Sequence, residues 1–470
     1  MRFETKAIHA GRQVDPVTGA VTTPIHLSTT YERSHDGSYT DGFMYSRGDN
    51  PNRRSLEECL TALEEGHDCV TFSSGMAAIT SIIEVLHEDK PRRIVLPDDM
   101  YFGVLTLLNE TDISKKFDIV SADMTNLNAL KDVVESEPTG LIWIETPSNP
   151  QIKIIDIEAV AEIAKANGAV TVVDNTTATP VLQNPLTLGA DFALHSVTKY
   201  IGGHSDLLLG AVVAKEESEM LERLRTWQHA KGAVPSSFDC WLALRGVQSL
   251  SARMSVHTAS AKIVAEFLSQ HDKVEAVHYP GLPDHPGHDI AAKQMSDFGG
   301  LMSFQVKGSD AEALTVANAV NIFTQATSLG GTHSYIEHRS SVEKELTKAP
   351  QNLLRLSIGL ENVHDLVEDL EQALDQVYGD GAGSGRTISS SHWPTRPFTR
   401  TINLSHWPTR PLIRTINSSH WPTRSLIHPI NLNIISDSLK SHSTRLENTK
   451  IPDFYHRPGC FNNQIGRAHV

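Results

Sequence analysis

The chain has 470 residues, of which 39% are hydrophobic and 21% charged, and its formal net charge is −15 at pH 7. It contains no apolar run near the ~20 residues of a membrane span, and its N-terminus lacks the apolar stretch of a signal peptide. The four cysteines and 23 histidines show no metal-ligand spacing. We therefore expect a cytoplasmic protein with reduced thiols, no membrane contact and no metal site.

The pattern of apolar residues changes along the chain. Residues 1–50 are rich in glycine and proline and predict an arm without a core of its own. Residues 51–245 alternate apolar strands with amphipathic helices, which is typical of a mostly parallel sheet with helices on both faces. Residues 246–379 contain a long helical pattern, further strands and a strongly periodic last helix. The sequence therefore predicts an α/β protein.

The first candidate functional segment follows a predicted strand at Cys69–Phe72. Ser73-Ser74-Gly75 predicts a tight turn, and a helical stretch opens at Met76. Such a turn directs backbone N–H groups and the positive end of a helix dipole at an anion. This segment is a candidate phosphate cradle, and an ordinary strand-to-helix turn is the alternative.

Two further predicted strands end in polar residues. Leu141–Glu145 is followed by two prolines around Asn149, which fix the backbone where the amide could bond a phenolic oxygen. Residues 169–173 lead into Asp174, with Thr176 two positions later. A carboxylate at that point can pair with a pyridine nitrogen and keep it protonated. A single aspartate after a strand is more often a helix cap, which is the alternative here.

Lys199 follows the next predicted strand, Ala190–Leu194. Ser196 and Thr198 precede the lysine, and two glycines follow it closely. A lysine in this setting suits a Schiff base with pyridoxal 5'-phosphate (PLP), and the two hydroxyls can bond phosphate oxygens. Lysines after strands are usually solvated or ion-paired, so this interpretation depends on the three strand ends that come before it.

Taken together, these segments resemble the Cys/Met-metabolism branch of the fold-type I PLP enzymes, the transsulfuration family, from about Ala7 to about Tyr378. The resemblance implies a large PLP domain at residues 51–245 and a smaller C-terminal α/β domain at residues 246–379. It also implies a homo-oligomer, a dimer of dimers, in which the 1–50 arm reaches a neighbouring subunit. The cofactor-binding residues that it implies are Tyr45, Arg47, Gly75, Met76, Tyr101, Asn149, Asp174, Thr176, Ser196, Thr198 and Lys199.

The resemblance also assigns roles. Lys199 would be the catalytic Schiff-base lysine, and Tyr101 would stack on the cofactor ring. Ser328 and Arg355 would bind the substrate, the arginine through the α-carboxylate. The last role has independent support, because a guanidinium binds a carboxylate at two points. Arg355 also lies in an apolar, strand-like run where an unpaired charge would be costly.

The activity implied is γ-replacement or γ-elimination on homoserine-derived amino acids, of the kind that makes or cleaves cystathionine. β-Elimination from cystathionine and γ-elimination from methionine are the alternatives, and a catalytically silent binding or regulatory protein is the alternative of a different class. Thr327 stands where the family usually carries glutamate, His333-Ser334 replaces a Glu-Ser pair, and residues 336–350 lack a Met-Thr-His stretch. Because of these departures, the sequence does not decide the leaving group or the direction of transsulfuration.

Residues 380–470 have a different composition from the rest of the chain. Ser391–Arg396 recurs at residues 405–410 and 419–424, and the net charge of this region is +7, against −22 for residues 1–379. Repeats with a proline each and no apolar face cannot bury a core, so we predict a disordered or artefactual extension. Single-stranded nucleic-acid binding is the alternative for this region, whereas the acidic body predicts no nucleic-acid partner.

Overall fold

The computed structural model of the protein describes residues 1–86, 90–343 and 348–378, so the extension predicted from residue 380 lies outside the described residues. The elements of the first part are α1 (Phe3–His9), α2 (Pro51–Glu64), β1 (Asp68–Phe72), α3 (Gly75–Glu84), β2 (Arg93–Pro97), α4 (Phe102–Glu110), α5 (Ile113–Lys116), β3 (Asp118–Ala122), α6 (Leu127–Ser136), β4 (Leu141–Glu145), α7 (Ile157–Ala166), β5 (Val170–Asp174), α8 (Thr179–Leu182), β6 (Phe192–Ser196), β7 (Gly210–Ala214), α9 (Glu219–Lys231) and α10 (Ser237–Val247).

The second part contains a long helix, a set of shorter strands and a C-terminal helix. Its elements are α11 (Leu250–Ser269), β8 (Val274–His278), α12 (His288–Gln294), β9 (Leu301–Val306), α13 (Asp310–Ala319), β10 (Thr324–Gln325), β11 (Tyr335–His338), α14 (Arg339–Glu343), β12 (Leu353–Ser357) and α15 (Val363–Tyr378).

The larger sheet has seven strands in the order β1-β7-β6-β5-β4-β2-β3. Strands β2 to β6 pair in parallel, whereas β7 runs antiparallel to both of its neighbours. Alternate residues of β7 face opposite cores: Ala211 and Val213 pack towards α2 and α10, and Val212 packs towards α3. Helices on both faces account for the continuous burial of the strands. The predicted α/β fold with a mostly parallel sheet is confirmed.

The direction of the strands places the candidate segments on one edge. Because β1 and β6 are both antiparallel to β7, β1 runs in the same direction as the parallel strands. The carboxyl ends of β1, β2, β4, β5 and β6 therefore meet at the same edge of the sheet. The chain leaves these strands towards Gly75, Tyr101, Asn149, Thr176 and Lys199 respectively. An open α/β sheet binds its ligands at this kind of edge.

The smaller sheet has five strands in the order β10-β11-β12-β9-β8. Strands β11, β12, β9 and β8 pair antiparallel, and α11, α13 and α15 cover them with a core that includes Val264, Val316 and Leu370. Both sheets lie in one compact unit. The domain boundary predicted at residue 245 falls within α10, and the four-part division of the chain stays a prediction.

Several smaller features bear on the sequence expectations. Much of the 1–50 segment is exposed, yet Ala7 of α1 is buried in the core against α2. Cys59, Cys69 and Cys240 are buried free thiols. Among the described residues, no helix combines the length and hydrophobicity of a membrane span, and no cluster of three or more His, Cys, Asp or Glu side chains is placed to hold a metal ion.

Candidate active site

A cavity of about 340 Å³ opens at the carboxyl edge of the larger sheet, with β11, β12 and α14 on its other side. Eleven of the thirteen residues proposed from the sequence line it, so the chain folds these scattered segments into one site. They are Gly75, Met76, Tyr101, Asn149, Asp174, Thr176, Ser196, Thr198, Lys199, Ser328 and Arg355.

The other two proposed residues, Tyr45 and Arg47, do not line the cavity of their own chain. Both are exposed, and the Arg47 guanidinium lies 5.9 Å from the centre of the Tyr45 ring. Arg47 Nη1 donates a hydrogen bond to the carbonyl of His229 at 3.0 Å. The structure therefore does not bring this pair together with the other eleven proposed residues.

Lys199 lies in the turn after β6 and points into the cavity. Its Nζ donates a hydrogen bond to Ser328 Oγ at 2.8 Å. Burial and, to a smaller extent, the Arg355 charge lower the pKa of Lys199 from 10.5 to about 8, and Glu337 opposes the shift. An amine with this pKa is partly neutral near physiological pH, as a nucleophilic lysine must be.

The turn after β1 has the geometry of an anion cradle. Ser74 caps α3 by accepting a hydrogen bond from the backbone N–H of Ala77 at 3.0 Å. A Cβ atom added at Gly75 would lie 3.0 Å from the Cβ and Oγ atoms of Ser196, so any larger residue would crowd Ser196. The Ser196 backbone is held by a hydrogen bond from its N–H to Thr176 Oγ1 at 2.8 Å. The hydroxyls and the helix N-terminus therefore converge on one small volume.

Two buried carboxylates lie side by side at the ends of β4 and β5, where Glu145 and Asp174 are direct neighbours across the strand pair. Burial raises the pKa of both groups, and the Asp174 charge raises the pKa of Glu145 further. The backbone N–H of Thr176 donates to Asp174 Oδ1 at 3.0 Å, which opposes the shift. A cationic partner in the cavity would relieve the cost of holding these charges in a dry site.

Glu145 also fixes the backbone of two other cavity residues. Its Oε2 accepts from the Tyr101 N–H at 2.7 Å, and its Oε1 accepts from the Asn149 N–H at 3.0 Å. The Tyr101 ring has room because residue 103 is glycine: a Cβ there would lie 2.3 Å from Tyr101 Cε1. One buried carboxylate thus holds the backbone of two residues that line the cavity.

Arg355 lies in the centre of β12 and is almost fully buried. Its Nη2 donates to the carbonyl of Ser328 at 2.7 Å and contacts Glu337 Oε2 at 2.5 Å, while its Nη1 donates to Asn149 Oδ1 at 3.3 Å. Burial lowers the pKa of Arg355 to about 10, and Glu337 opposes that shift. Its Nε has no hydrogen-bond partner among the described residues. These contacts fix the position of the guanidinium in the wall of the cavity.

Ser328 connects the amine and the guanidinium. Its hydroxyl accepts from Lys199 and its carbonyl accepts from Arg355. The residue has a φ of 85°, in the left-handed region that costs a non-glycine residue free energy. Such strain is found where the surrounding structure imposes a backbone position, and here it lies between Lys199 and Arg355.

Sequence reasoning missed Glu145, Glu337 and Arg339 as cavity residues. Glu145 was visible as the last residue of a predicted strand, and a carboxylate at the carboxyl edge is the signal that could have identified it. Glu337 and Arg339 had no local signal, because their position depends on the pairing of β11 with β12.

The comparisons with known proteins agree with this geometry. The family model of the Cys/Met metabolism PLP-dependent enzymes matches residues 4–375. The chain belongs to this family. It is 44% identical to a cystathionine gamma-synthase of Mycobacterium leprae, over 79% of this chain and 96% of that protein. It is 43% identical to a cystathionine gamma-lyase of Dictyostelium discoideum, over 80% and 98% of the two chains.

A solved structure gives the same result for the fold. The cystathionine gamma synthase of Xanthomonas oryzae pv. oryzae, in complex with aminoacrylate and cysteine, is 41% identical and superposes with a TM-score of 0.76, covering 80% of this chain and 98% of that chain. The protein is thus a PLP-dependent enzyme with the fold of this family. Its cavity fits the cofactor: it contains a lysine of lowered pKa, a carboxylate pair at the sheet edge and a helix N-terminus where Gly75 lies close to Ser196.

Proposed function

We propose that the protein is a transsulfuration enzyme that carries out γ-replacement or γ-elimination on homoserine-derived amino acids, as a cystathionine γ-synthase or γ-lyase does. One observation carries the proposal: Ser328 is hydrogen-bonded to both Lys199 and Arg355, so a reactive amine and a carboxylate clamp face the same space. An α-amino acid needs both groups, the clamp for its carboxylate and the amine for proton transfer at Cα.

Lys199 is the group proposed to move protons. When bound, PLP supplies the electron sink that stabilises negative charge next to the substrate's amino group. Lys199 Nζ takes the proton from substrate Cα and serves Cβ from the same position. The hydroxyl of Ser328, at 2.8 Å, holds the amine on this side of the cavity. A pKa of about 8 lets the amine accept and return protons near neutral pH.

The remaining groups are proposed to position the cofactor. Asp174 would pair with the pyridine nitrogen, which would give this buried carboxylate a cationic partner in the cavity. Asn149 uses its Nδ2 for the ring oxygen, because its Oδ1 already accepts from Arg355. Tyr101 lies over the ring, and Gly75, Met76, Ser196 and Thr198 surround the phosphate. Thr176 supports this arrangement through Asp174 and Ser196.

A second copy of the chain is proposed to complete the site. Tyr45 and Arg47 are exposed and do not line the cavity of their own chain, and by family resemblance they reach the phosphate held by a neighbouring subunit. The active form would then be at least a dimer, and a dimer of dimers by the same resemblance. The cytoplasmic location inferred from the sequence belongs to this proposal as well.

The products formed from two sets of substrates test the proposed activity. O-Acetyl-L-homoserine with L-cysteine should yield cystathionine if the enzyme catalyses γ-replacement. Cystathionine alone should yield 2-oxobutanoate and cysteine if it catalyses γ-elimination. Lys199→Ala is the matched control and should form neither product.

Two outcomes would contradict the proposal. Pyruvate and homocysteine from cystathionine would identify β-elimination instead. No turnover of either substrate set, or of methionine, by PLP-loaded protein would support the catalytically silent alternative.

A further inference from the structure

A buried pair of titratable side chains lies behind the cavity, on the opposite face of the larger sheet. The side chains of His195 on β6 and Glu64, the last residue of α2, are each 1% exposed, and His195 Nε2 lies 2.5 Å from Glu64 Oε1. His195 Nδ1 has no hydrogen-bond partner among the described residues. The proposed catalytic roles use neither group. A buried ion pair is costly to form and adds little stability by itself, so its position needs another explanation.

The pair is attached to the strand ends that form the floor of the cavity. Glu64 Oε1 also accepts a hydrogen bond from Asn175 Nδ2 at 2.8 Å, and Asn175 directly follows Asp174. Asp174 and Leu194 are partners across β5 and β6, and both line the cavity. Because side chains alternate along a strand, His195 points to the other face, where it meets Glu64. One carboxylate of α2 thus holds the ends of both strands from behind.

The charge of His195 acts on Asp174 across the sheet. Burial raises the pKa of Asp174, whereas hydrogen bonds from Thr176 and the positive charge of His195 oppose that shift. Glu145, the neighbour of Asp174 on β4, is a second carboxylate in the same buried region, and like charges make ionisation harder. Glu64 Oε1 accepts two hydrogen bonds, so it acts as the acceptor for a proton on His195 Nε2.

We propose that Glu64 and His195 are positioning residues for the cofactor: Glu64 keeps His195 protonated, and His195 keeps Asp174 ionised towards the pyridine nitrogen. This inference rests on the proposed role of Asp174 and deepens it. Neither residue lines the cavity, so both act through Asp174. The alternative is that the pair only fastens α2 to the sheet.

Competition between PLP and 1-deaza-PLP separates these two roles. In 1-deaza-PLP a C–H group replaces the ring nitrogen, so the compound keeps the aldehyde and the phosphate but offers Asp174 no basic atom. Holoenzyme is equilibrated with mixtures of the two compounds, and the bound fraction of each is measured after the free compounds are removed. A role through Asp174 changes the ratio of the two affinities, whereas a purely structural role weakens both compounds alike and leaves the ratio unchanged.

The variants keep the hydrogen bond of the pair and remove its charges. His195→Gln retains an N–H donor for Glu64, and Glu64→Gln retains an acceptor for His195. Asp174→Asn removes the carboxylate through which the pair is proposed to act. His278→Gln is the matched control, because it removes a hydrogen-bonded histidine of the smaller sheet.

We expect the wild-type enzyme to prefer PLP, and Asp174→Asn to lose most of that preference. His195→Gln should lower the preference by about tenfold, the size of effect expected of one nearby charge on a buried carboxylate. Glu64→Gln should lower it as well, because His195 then lacks the anion that holds its proton. His278→Gln should keep the wild-type ratio.

A wild-type ratio in His195→Gln would overturn the inference, since the pair would then only fasten α2 to the sheet. A preference that survives in Asp174→Asn would refute the proposed role of Asp174 together with the inference, whereas a preference lost in Asp174→Asn alone would refute only the inference. The far-UV spectrum and the total bound cofactor check folding, and Glu64→Gln decides the matter if His195→Gln does not fold. The competition measures no turnover, so its result is independent of the product assay.

Discussion

The pKa of Lys199 gives the sharpest quantitative prediction. Burial and the Arg355 charge lower it from 10.5 to about 8, a difference of about 3 kcal/mol between the two protonation states. At pH 7.5 about a quarter of the amine is neutral with the lowered pKa, against about one thousandth for an ordinary lysine. Because only the neutral amine attacks a carbonyl, Lys199 should take up PLP about 200 times faster than a lysine of ordinary pKa.

The assay follows the visible absorbance after PLP is mixed with the apoprotein at a series of pH values. The rate of attachment should rise with pH and level off above about 8. The free energy of unfolding of the apoprotein should also rise with pH. A lowered lysine pKa means that the unfolded chain binds more protons between about pH 8 and pH 10.5. The cost of the buried amine is therefore fully present below about pH 8 and disappears as the pH rises through that window.

Two substitutions should move the midpoint of the pH dependence of PLP attachment in opposite directions. Arg355→Gln removes a cation that lowers the pKa of Lys199, so its midpoint should rise, though not to 10.5, because burial is the larger cause. Glu337→Gln removes the anion that opposes the shift, so its midpoint should fall. Arg355→Lys keeps the charge and is the matched control. A wild-type midpoint near 10, or shifts of the same sign in both variants, would refute the reasoning.

Three further predictions concern the cofactor site, the subunit arrangement and the tail. Gly75→Ala places a methyl group 3.0 Å from Ser196. The crowding, worth about 1–3 kcal/mol, should weaken PLP binding as measured by equilibrium dialysis. Wild-type affinity would mean that the phosphate cradle is not at this turn. Arg47→Ala and Lys199→Ala should each be inactive. Their mixture should regain activity, because a hybrid oligomer with one subunit of each variant carries one intact shared site. Confirmed hybrids without activity would argue against shared sites. Truncation after residue 379 should leave PLP content and melting temperature unchanged, because the family match ends at residue 375; a large fall in either would show that the tail is needed.

The cofactor half of the site could be predicted from the sequence because its signals are local. A buried parallel strand is a short apolar run, and the polar residue that follows it lies at the carboxyl edge regardless of which strand lies beside it. Gly75, Asn149, Asp174 and Lys199 each follow such a run, and all four line the cavity. The costly guanidinium in an apolar strand was also a local signal, and it identified Arg355.

The tertiary structure alone decided what surrounds these residues. Glu337 faces Arg355 only because β11 and β12 pair antiparallel in that register, and a shift of one residue would place it on the other face of the sheet. Glu145 holds Tyr101 and Asn149 through backbone N–H groups, which no side-chain pattern encodes. Arg339 enters the cavity through α14. The sequence determines which residues lie at strand ends, whereas the pairing of strands determines which charged side chains meet. Those contacts join residues that are far apart in the chain, so no local pattern predicts them.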